Sequence, residues 1–317
     1  IGEFHIALTL LTLGRFRLGW EKHEYRWNVD PLNKIQWPIK DRELWAGQED
    51  KRVVLWREQG IGDDIIFLSL VPEALKISKS LSVYIDPRLV SLCIRSMPGI
   101  NFKPYNPGKY DGELFDYHLP MGSLPRLFRN SESDFDKGIK GYLKADSKRV
   151  ESLRNELDLR GKKVIGISWK SINSMNNLKK SLTLMNLNKI FKDLDITLVN
   201  LQYGDVDKEI REFKDETGID IVQCASVDNR EDIDGLAALI EMCDLVVSTS
   251  NITIHLAGAL GKETWVLLPY VANFWWLLDR TDSVWYPSLK LYRQKKFGDW
   301  ESLNLDLRQD LIRKVSI

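Results

Sequence analysis

The sequence has no excess of either charge, few cysteines and no long apolar run. Lys and Arg number 45, and Asp and Glu also number 45, so the formal net charge is zero. A neutral chain offers no general basic field, so we expect no nucleic-acid partner, and any anion must be bound at a local site. The longest apolar stretch, Thr264 to Leu278, is interrupted by Pro269 and Asn273, which argues against a membrane span.

The three cysteines, Cys93, Cys224 and Cys243, are odd in number, far apart and set in apolar segments. This pattern favours reduced, buried thiols over disulfides or a metal site. It indicates a cytoplasmic protein, with a peripheral position at the inner membrane face as the alternative. The chain begins with Ile1 rather than Met and without a secretory leader, so we expect a fragment of a longer sequence.

Several catalytic motifs are also missing. The sequence has no Ser–His–Asp order, Walker loop, H-E-x-x-H or C-x-x-C. Hydrolase, kinase and metalloprotease functions therefore have no residues to carry them, and group transfer from a phosphorylated donor fits better.

The first segment of the chain has helical periodicity. Between Phe4 and Trp27 the apolar residues recur at helical spacing on both sides of Gly14. The pattern predicts two antiparallel helices, which either lean on the following domain or continue a helical repeat array.

Short apolar runs then alternate with helical segments. The runs are "RVVLW", "SVYID" and "LFDYHL" in the first half, and "KKVIGISW", "DITLVNLQ", "IDIVQ", "DLVVS" and "ETWVLLP" in the second. They predict an α/β protein with two doubly wound parallel sheets, which bind ligands at the carboxyl ends of their strands. We place the helical hairpin and its connector at residues 1–45, one domain at 46–146 and another at 147–317.

A glycine-containing turn follows the first strand, in "EQGIGDDIIF". Gly60 and Gly62 permit close backbone approach, and the helix is predicted to start at about Asp63 or Asp64. An acidic residue there is either a helix cap, which is the commoner role, or a general base for a substrate hydroxyl.

The stretch "STSNITIHLAGALG" predicts a second helix start at the end of a strand. Ser248, Ser250 and Asn251 offer hydroxyl and amide groups where a helix exposes its first N–H groups, which is a place for phosphate or for an ordinary cap. His255 lies one turn inside that helix, where a hydrogen-bonded core histidine is the alternative to a ligand contact.

Two further loops follow strands at the same edge. The loop "SWKSINSMNNLKKS" carries Lys170, Lys179 and Lys180, which are either solvated lysines or ligands of a diphosphate. Gln202 ends the next strand, ahead of a D-x-D pair at Asp205 and Asp207. Acidic residues in a first helical turn are expected from the helix dipole alone, so we expect no metal there.

Four segments together resemble a known family. They are "GRFRLGWEKHEYRW", "LWREQGIGDDIIFLSLVP", "STSNITIHLAGALGKETWVLLP" and "WWLLDRTDSVWYPSLKLYRQ". They are similar to bacterial tetratricopeptide-repeat proteins fused to a heptosyltransferase-like domain of glycosyltransferase family 9. The resemblance implies a GT-B fold, with two Rossmann-like domains facing a cleft and a short N-terminal hairpin resembling a tetratricopeptide repeat.

The resemblance also assigns roles to residues. It places the catalytic aspartate at Asp63. It places donor binding at Lys180, with Lys179 as a substitute and Ser168 and Lys170 nearby, and at the helix start with Ser250, Asn251 and His255. Gln202, at the end of its strand, is added to the donor site from its position. Heptosyltransferases commonly have an Asp-Thr-Gly-like triplet where this chain has Ser250, Asn251 and Ile252, so the donor sugar is left open.

The function expected from these residues and this resemblance is inverting, metal-independent transfer of a sugar from a nucleotide-diphosphate sugar, without a cofactor. The acceptor is a glycan, a lipid-linked molecule or a protein, and the repeat-like helices are a candidate surface for a protein partner. The alternative is a non-catalytic module that binds a nucleotide sugar or a protein.

Overall fold

The computed structural model describes residues 2–29, 42–107, 109, 112–137, 140–157, 159, 161–171 and 182–315. The chain divides into two compact units. The first comprises Ile1–Leu143 with Asn273–Asp279, and the second comprises Lys144–Ala272 with Arg280–Ile317. Each unit contains a parallel sheet with helices between the strands, which confirms the predicted α/β class.

The N-terminal segment forms the predicted antiparallel pair. Its elements are α1 (Gly2–Thr12), α2 (Phe16–His23) and a 3-10 helix at Glu24–Asn28. The chain reverses at Gly14, where φ is 71°. Leu11 packs directly on Gly19, because a Cβ added there would lie 2.7 Å from Leu11 Cδ2, and Lys22 pairs with Glu3 farther along the two helices. We call α1, α2 and the 3-10 helix the helical pair.

The sheet of the first unit has the strand order β3-β2-β1-β4 in the described residues, with all pairs parallel. Its strands are β1 (Arg52–Trp56), β2 (Ser80–Ile85), β3 (Asn101–Pro104) and β4 (Tyr117–Pro120). The helices are α3 (Ile61–Leu68), α4 (Val71–Ile77), α5 (Val90–Ser96) and α6 (Leu124–Phe128). The strand order reverses between β1 and β4, and such a switch point is where doubly wound sheets bind ligands.

The sheet of the second unit has the order β10-β9-β8-β5-β6-β7, again with parallel pairs throughout its described part. Its strands are β5 (Lys163–Ser168), β6 (Ile196–Asn200), β7 (Ile221–Val222), β8 (Leu245–Thr249), β9 (Thr264–Leu268) and β10 (Leu289–Arg293). The helices are α7 (Ser147–Leu157), α8 (Leu184–Phe191), α9 (Asp207–Thr217), α10 (Ile233–Met242), α11 (Ile252–Leu260) and α12 (Trp300–Val315). This is the strand order of a dinucleotide-binding Rossmann sheet, with the switch point between β5 and β8.

The segment Asn273–Asp279 belongs to the first unit although it follows β9 of the second. Trp275 on this segment packs against Trp20 of α2 and against Phe67 of α3, with ring centroids 6.2 Å and 5.6 Å away. Trp20 and Trp275 are 2% and 5% exposed, so these contacts are part of the unit's core.

The cysteine prediction is confirmed in part. The three thiols are free, and Cys93 and Cys243 are buried. Cys224 is only half-buried, because it follows the two-residue edge strand β7, and its Sγ lies near Glu156 and Ser226. No helix in the described ranges has both the length and the apolar character needed to cross a bilayer.

Candidate active site

The glycine-containing turn joins β1 to α3 at the switch point of the first sheet. The helix begins at Ile61, two residues earlier than predicted, with Gly60 as its N-cap and Gly62 inside its first turn. The reason is a capping contact, since the Gly60 N–H donates to Asp63 Oδ2 at 3.2 Å. Asp63 is half-buried at the third helical position, so Gly60 holds the N-cap place predicted for an aspartate, and Asp63 contributes to the cap from inside the helix.

One side of this turn is held by Arg57. Its Nε lies 2.9 Å from Asp64 Oδ2, its Nη1 lies 3.0 Å from Asp86 Oδ2, and its Nη2 donates to the Gln59 carbonyl at 2.8 Å. Burial raises the pKa of Asp64 well above its ordinary value, against the opposing effect of Arg57. Asp64 is 2% exposed, so it serves the turn's structure and leaves Asp63 as the carboxylate that faces outward.

The other side is held by Glu58, which the sequence analysis did not single out. Its carboxylate accepts two hydrogen bonds from Arg26 of the helical pair, from Nε to Oε1 and from Nη2 to Oε2, both at 2.8 Å. The two residues are far apart in sequence and have no characteristic spacing, so no sequence signal pointed to the pair.

Three polar residues meet at the switch point of the second sheet. Ser168 ends β5, Gln202 follows β6, and Asn251 follows β8. Asn251 Nδ2 donates to Ser168 Oγ at 2.7 Å, and Ser168 Oγ donates to Gln202 Oε1 at 3.0 Å. Their exposures are 1%, 1% and 6%, so this network joins the ends of three strands inside the unit.

The same two amides hold the backbone after β5. Gln202 Oε1 also accepts from the N–H groups of Trp169 and Lys170, both at 2.9 Å, and Asn251 Nδ2 donates to the Lys170 carbonyl at 3.2 Å. Donor binding was predicted for these side chains. In the structure they are buried, and they hold the backbone at Trp169 and Lys170.

Asn251 is the N-cap of α11. Its Oδ1 accepts from the Thr253 N–H at 2.9 Å, and Ser248 Oγ lies 3.3 Å from the same oxygen. The first turn of α11 contains no acidic residue, whereas that of α3 contains Asp63 and Asp64. Because a helix N-terminus attracts negative charge, α11 offers an anion a place that α3 already fills with carboxylates.

Lys170 is paired within the unit. Its Nζ lies 2.7 Å from Glu209 Oε2, and Glu209 Oε1 accepts from Trp169 Nε1 at 2.9 Å. Lys170 is half-buried, so a bound anion would share its ammonium with Glu209. Lys179 and Lys180 lie outside the described residues.

His255 is a buried residue of α11. Its Nδ1 lies 3.2 Å from the hydroxyl oxygen of Tyr286, and the imidazole is 8% exposed. This contact has the form of the hydrogen-bonded core histidine given above as the alternative to a ligand contact, and it joins α11 to Tyr286.

The D-x-D pair has a local contact. The Asp207 N–H donates to Asp205 Oδ1 at 3.3 Å at the start of α9, as expected of acidic residues in a first helical turn. In the part of the chain that the structure describes, no group of three or more His, Cys, Asp or Glu side chains could hold a metal ion.

Comparison with solved structures identifies proteins of similar architecture. A family 9 glycosyltransferase from Veillonella parvula has a TM-score of 0.58 at 12% identity, covering 84% of this chain and 96% of its own. The Escherichia coli ADP-heptose lipopolysaccharide heptosyltransferase II has a TM-score of 0.57 at 12% identity, covering 83% and 99%. The fold is GT-B-like.

A curated sequence is also similar to this chain. Protein FlbA of Caulobacter vibrioides is 31% identical over 318 residues, which are 94% of this chain and 53% of that protein. The chain therefore spans about half the length of the curated relative it matches. No family model matches the sequence.

The Asn251 network gives a first test of the positioning role. We expect Asn251→Ala to lower the free energy of unfolding by about 2–4 kcal/mol, because it removes a cap and the donor that serves Ser168 Oγ and the Lys170 carbonyl. Ser250→Ala, at the half-buried neighbouring position, is expected to cost about 1 kcal/mol or less. Urea unfolding of both variants measures the difference, and equal losses would contradict this account of Asn251.

Proposed function

We propose that this chain is a glycosyltransferase that moves a sugar from a nucleotide-diphosphate sugar to an acceptor hydroxyl. The observation that carries the proposal is the contrast between the two switch-point helices. The first turn of α11 carries no carboxylate that would offset the positive end of its helix dipole, while the first turn of α3 presents Asp63. The GT-B-like fold adds support, since the similar solved structures are glycosyltransferases.

We assign binding of the donor to the second unit. Its diphosphate would rest on the first N–H groups of α11 and on Ser250, with Lys180 and Lys170 supplying positive charge. Ser168, Gln202 and Asn251 would hold the backbone that carries Lys170, and His255 would hold α11. In the transition state these donors stabilise the charge that develops on the departing diphosphate.

The first unit is assigned the acceptor. The acceptor oxygen attacks the anomeric carbon as its proton passes to the Asp63 carboxylate. The bond between the anomeric carbon and the diphosphate oxygen breaks, and the nucleoside diphosphate leaves with the electron pair. A single displacement of this kind inverts the anomeric configuration. We propose that it runs without a metal or cofactor, in the cytoplasm, on a glycan, lipid-linked or protein acceptor.

The experiment is a donor panel. Titration calorimetry with ADP, GDP, UDP and their nucleosides should show one base preferred, and its diphosphate bound at least about tenfold more tightly than the nucleoside. The matching sugars should then release nucleoside diphosphate in the presence of EDTA. Failure of every nucleotide to bind would reject the proposal, and binding without release would support the non-catalytic module. Activity lost in EDTA and restored by magnesium would revive Asp205 and Asp207 as metal ligands.

A further inference from the structure

We propose that Arg26 of the helical pair is a positioning residue for the turn that carries Asp63. The helical pair then helps to orient the proposed base, in addition to being a candidate surface for a protein partner. This inference rests on the proposed function for its catalytic meaning, while its geometric part stands on the contacts alone.

All three guanidinium nitrogens of Arg26 donate hydrogen bonds. Besides the paired bonds to Glu58, Nη1 donates to Glu24 Oε1 and Nη2 donates to Ser123 Oγ, both at 2.9 Å. Ser123 Oγ in turn donates to the Glu24 carboxylate at 2.9 Å. The Arg26 side chain is completely buried, so water does not compete for these bonds.

The cluster formed by Arg26, Glu24, Glu58 and Ser123 lies at the ends of two strands of the first sheet. Glu58 follows β1, and Ser123 follows β4, which are the two strands on either side of the switch point. Gly122 makes room for the pair, since a Cβ at that position would lie 2.0 Å from Glu58 Oε1. Arg26 therefore joins, from the helical pair, the segments that follow the two strands on either side of the switch point.

Glu58 is tied to the turn itself. It precedes Gln59 and Gly60, and Gly60 is the N-cap whose N–H donates to Asp63. Arg57 and Glu58 are neighbours just after β1, and their side chains bond different partners, Arg57 to Asp64 and Asp86 and Glu58 to Arg26. The Arg57 pairs with Asp64 and Asp86 fix one side of the turn, and Arg26 fixes the other.

A purely stabilising role does not explain this choice of residues. Removing an arginine and a glutamate from water is costly, and apolar pairs of similar size are often at least as stable. A bidentate guanidinium–carboxylate pair does fix direction, because both partners are planar and both bonds must form together. Burial opposes the charge on Arg26, but Glu58 and Glu24 raise its pKa overall, so the guanidinium stays charged in the folded state.

The test compares two Arg–Glu pairs of the same unit, in each of which the arginine is buried. One variant carries Arg26→Gln with Glu58→Gln, which removes both charges and keeps polar side chains at both positions. The control carries Arg129→Gln with Glu73→Gln, since Arg129 is also buried and makes two bonds to Glu73, at 3.1 Å and 2.6 Å. Hydrogen exchange is followed in peptides covering residues 57–64, together with melting temperature and release of nucleoside diphosphate.

We expect exchange of the Gly60, Asp63 and Asp64 amides to rise at least tenfold in the Arg26/Glu58 variant and to stay unchanged in the control. The turnover number should fall at least tenfold in that variant alone, with the KM for donor within about threefold of wild type. Arg26→Lys, which keeps the charge but loses the planar fork, should show smaller changes of the same kind and serves if the double variant does not fold.

Two outcomes overturn the proposal: an unchanged exchange rate in the turn, or an equal rise in the Arg129/Glu73 control. If wild-type protein releases no nucleotide from any donor, the proposed function fails, and the exchange measurement alone still decides whether Arg26 positions the turn.

Discussion

Replacing Asp63 by asparagine is expected to lower the rate of sugar transfer by about 10²–10⁴-fold, with donor affinity nearly unchanged. An amide cannot accept the acceptor's proton, and general-base catalysis typically contributes a factor of this size. Asparagine can still accept the Gly60 N–H through its side-chain oxygen, so the cap and the start of α3 should survive. The measurement is the rate of nucleoside diphosphate release at saturating donor, beside the donor dissociation constant.

A matched control separates catalysis from capping. Asp299 also caps a helix start, since its carboxylate accepts the Ser302 N–H at 3.0 Å. Asp299→Asn should leave turnover within about twofold of wild type, because Asp299 has no assigned part in the reaction. Full activity in Asp63→Asn would leave Asp63 as a helix cap only and would remove the proposed base.

Trp20→Ala is expected to lower the free energy of unfolding of the first unit by about 3–5 kcal/mol, the usual cost of truncating a buried tryptophan. Trp20 is 2% exposed and its ring lies 6.1 Å from Phe274 and 6.2 Å from Trp275. The loss would open a cavity between the helical pair and Asn273–Asp279. Chemical unfolding followed by the amide signals of the first unit measures it.

Leu18 on the same helix provides the comparison. It is 47% exposed, so Leu18→Ala should cost less than about 1 kcal/mol. If Trp20→Ala unfolded α1 and α2 while leaving the rest of the first unit at wild-type stability, the helical pair would be an independent appendage. That result would contradict its place in the core.

The sequence predicted the strands with continuous apolar runs and missed two others. β1 is buried from its second residue onward, and β8 is buried throughout. Such continuous apolar runs are typical of central parallel strands. β3 has the sequence "NFKP", with one buried residue and a proline, and it lies at the edge of its sheet. β10, "LKLYR", contains two basic residues among five and also lies at an edge. β4 and β7 also lie at edges and were predicted, from "LFDYHL" and "IDIVQ", so the weak signal of β3 and β10 comes from their more polar sequences and not from edge position alone.

The candidate site was predicted unevenly for a related reason. Sequence pattern showed which residues follow strands, and so it brought Ser168, Gln202 and Asn251 to one edge of one sheet. It could not show that these side chains bond to one another, because burial at the end of a strand depends on tertiary packing. Arg26 and Glu58 were missed because their pairing depends on how the helical pair docks on the first sheet. The place of Asn273–Asp279 in the first unit was hidden for the same reason.

The most direct measurement of the central claim follows the bond that the reaction breaks. A donor chosen from the panel, labelled with ¹³C at its anomeric carbon, is incubated with the protein, with water as the acceptor if no other is known, and is observed by NMR. We expect the anomeric signal to lose its coupling to phosphorus and to reappear first in the opposite anomeric configuration, at a rate that Asp63→Asn reduces by at least about 10²-fold. A donor that binds and keeps its phosphorus-coupled signal, in wild-type protein as in the variant, would contradict glycosyl transfer by this chain.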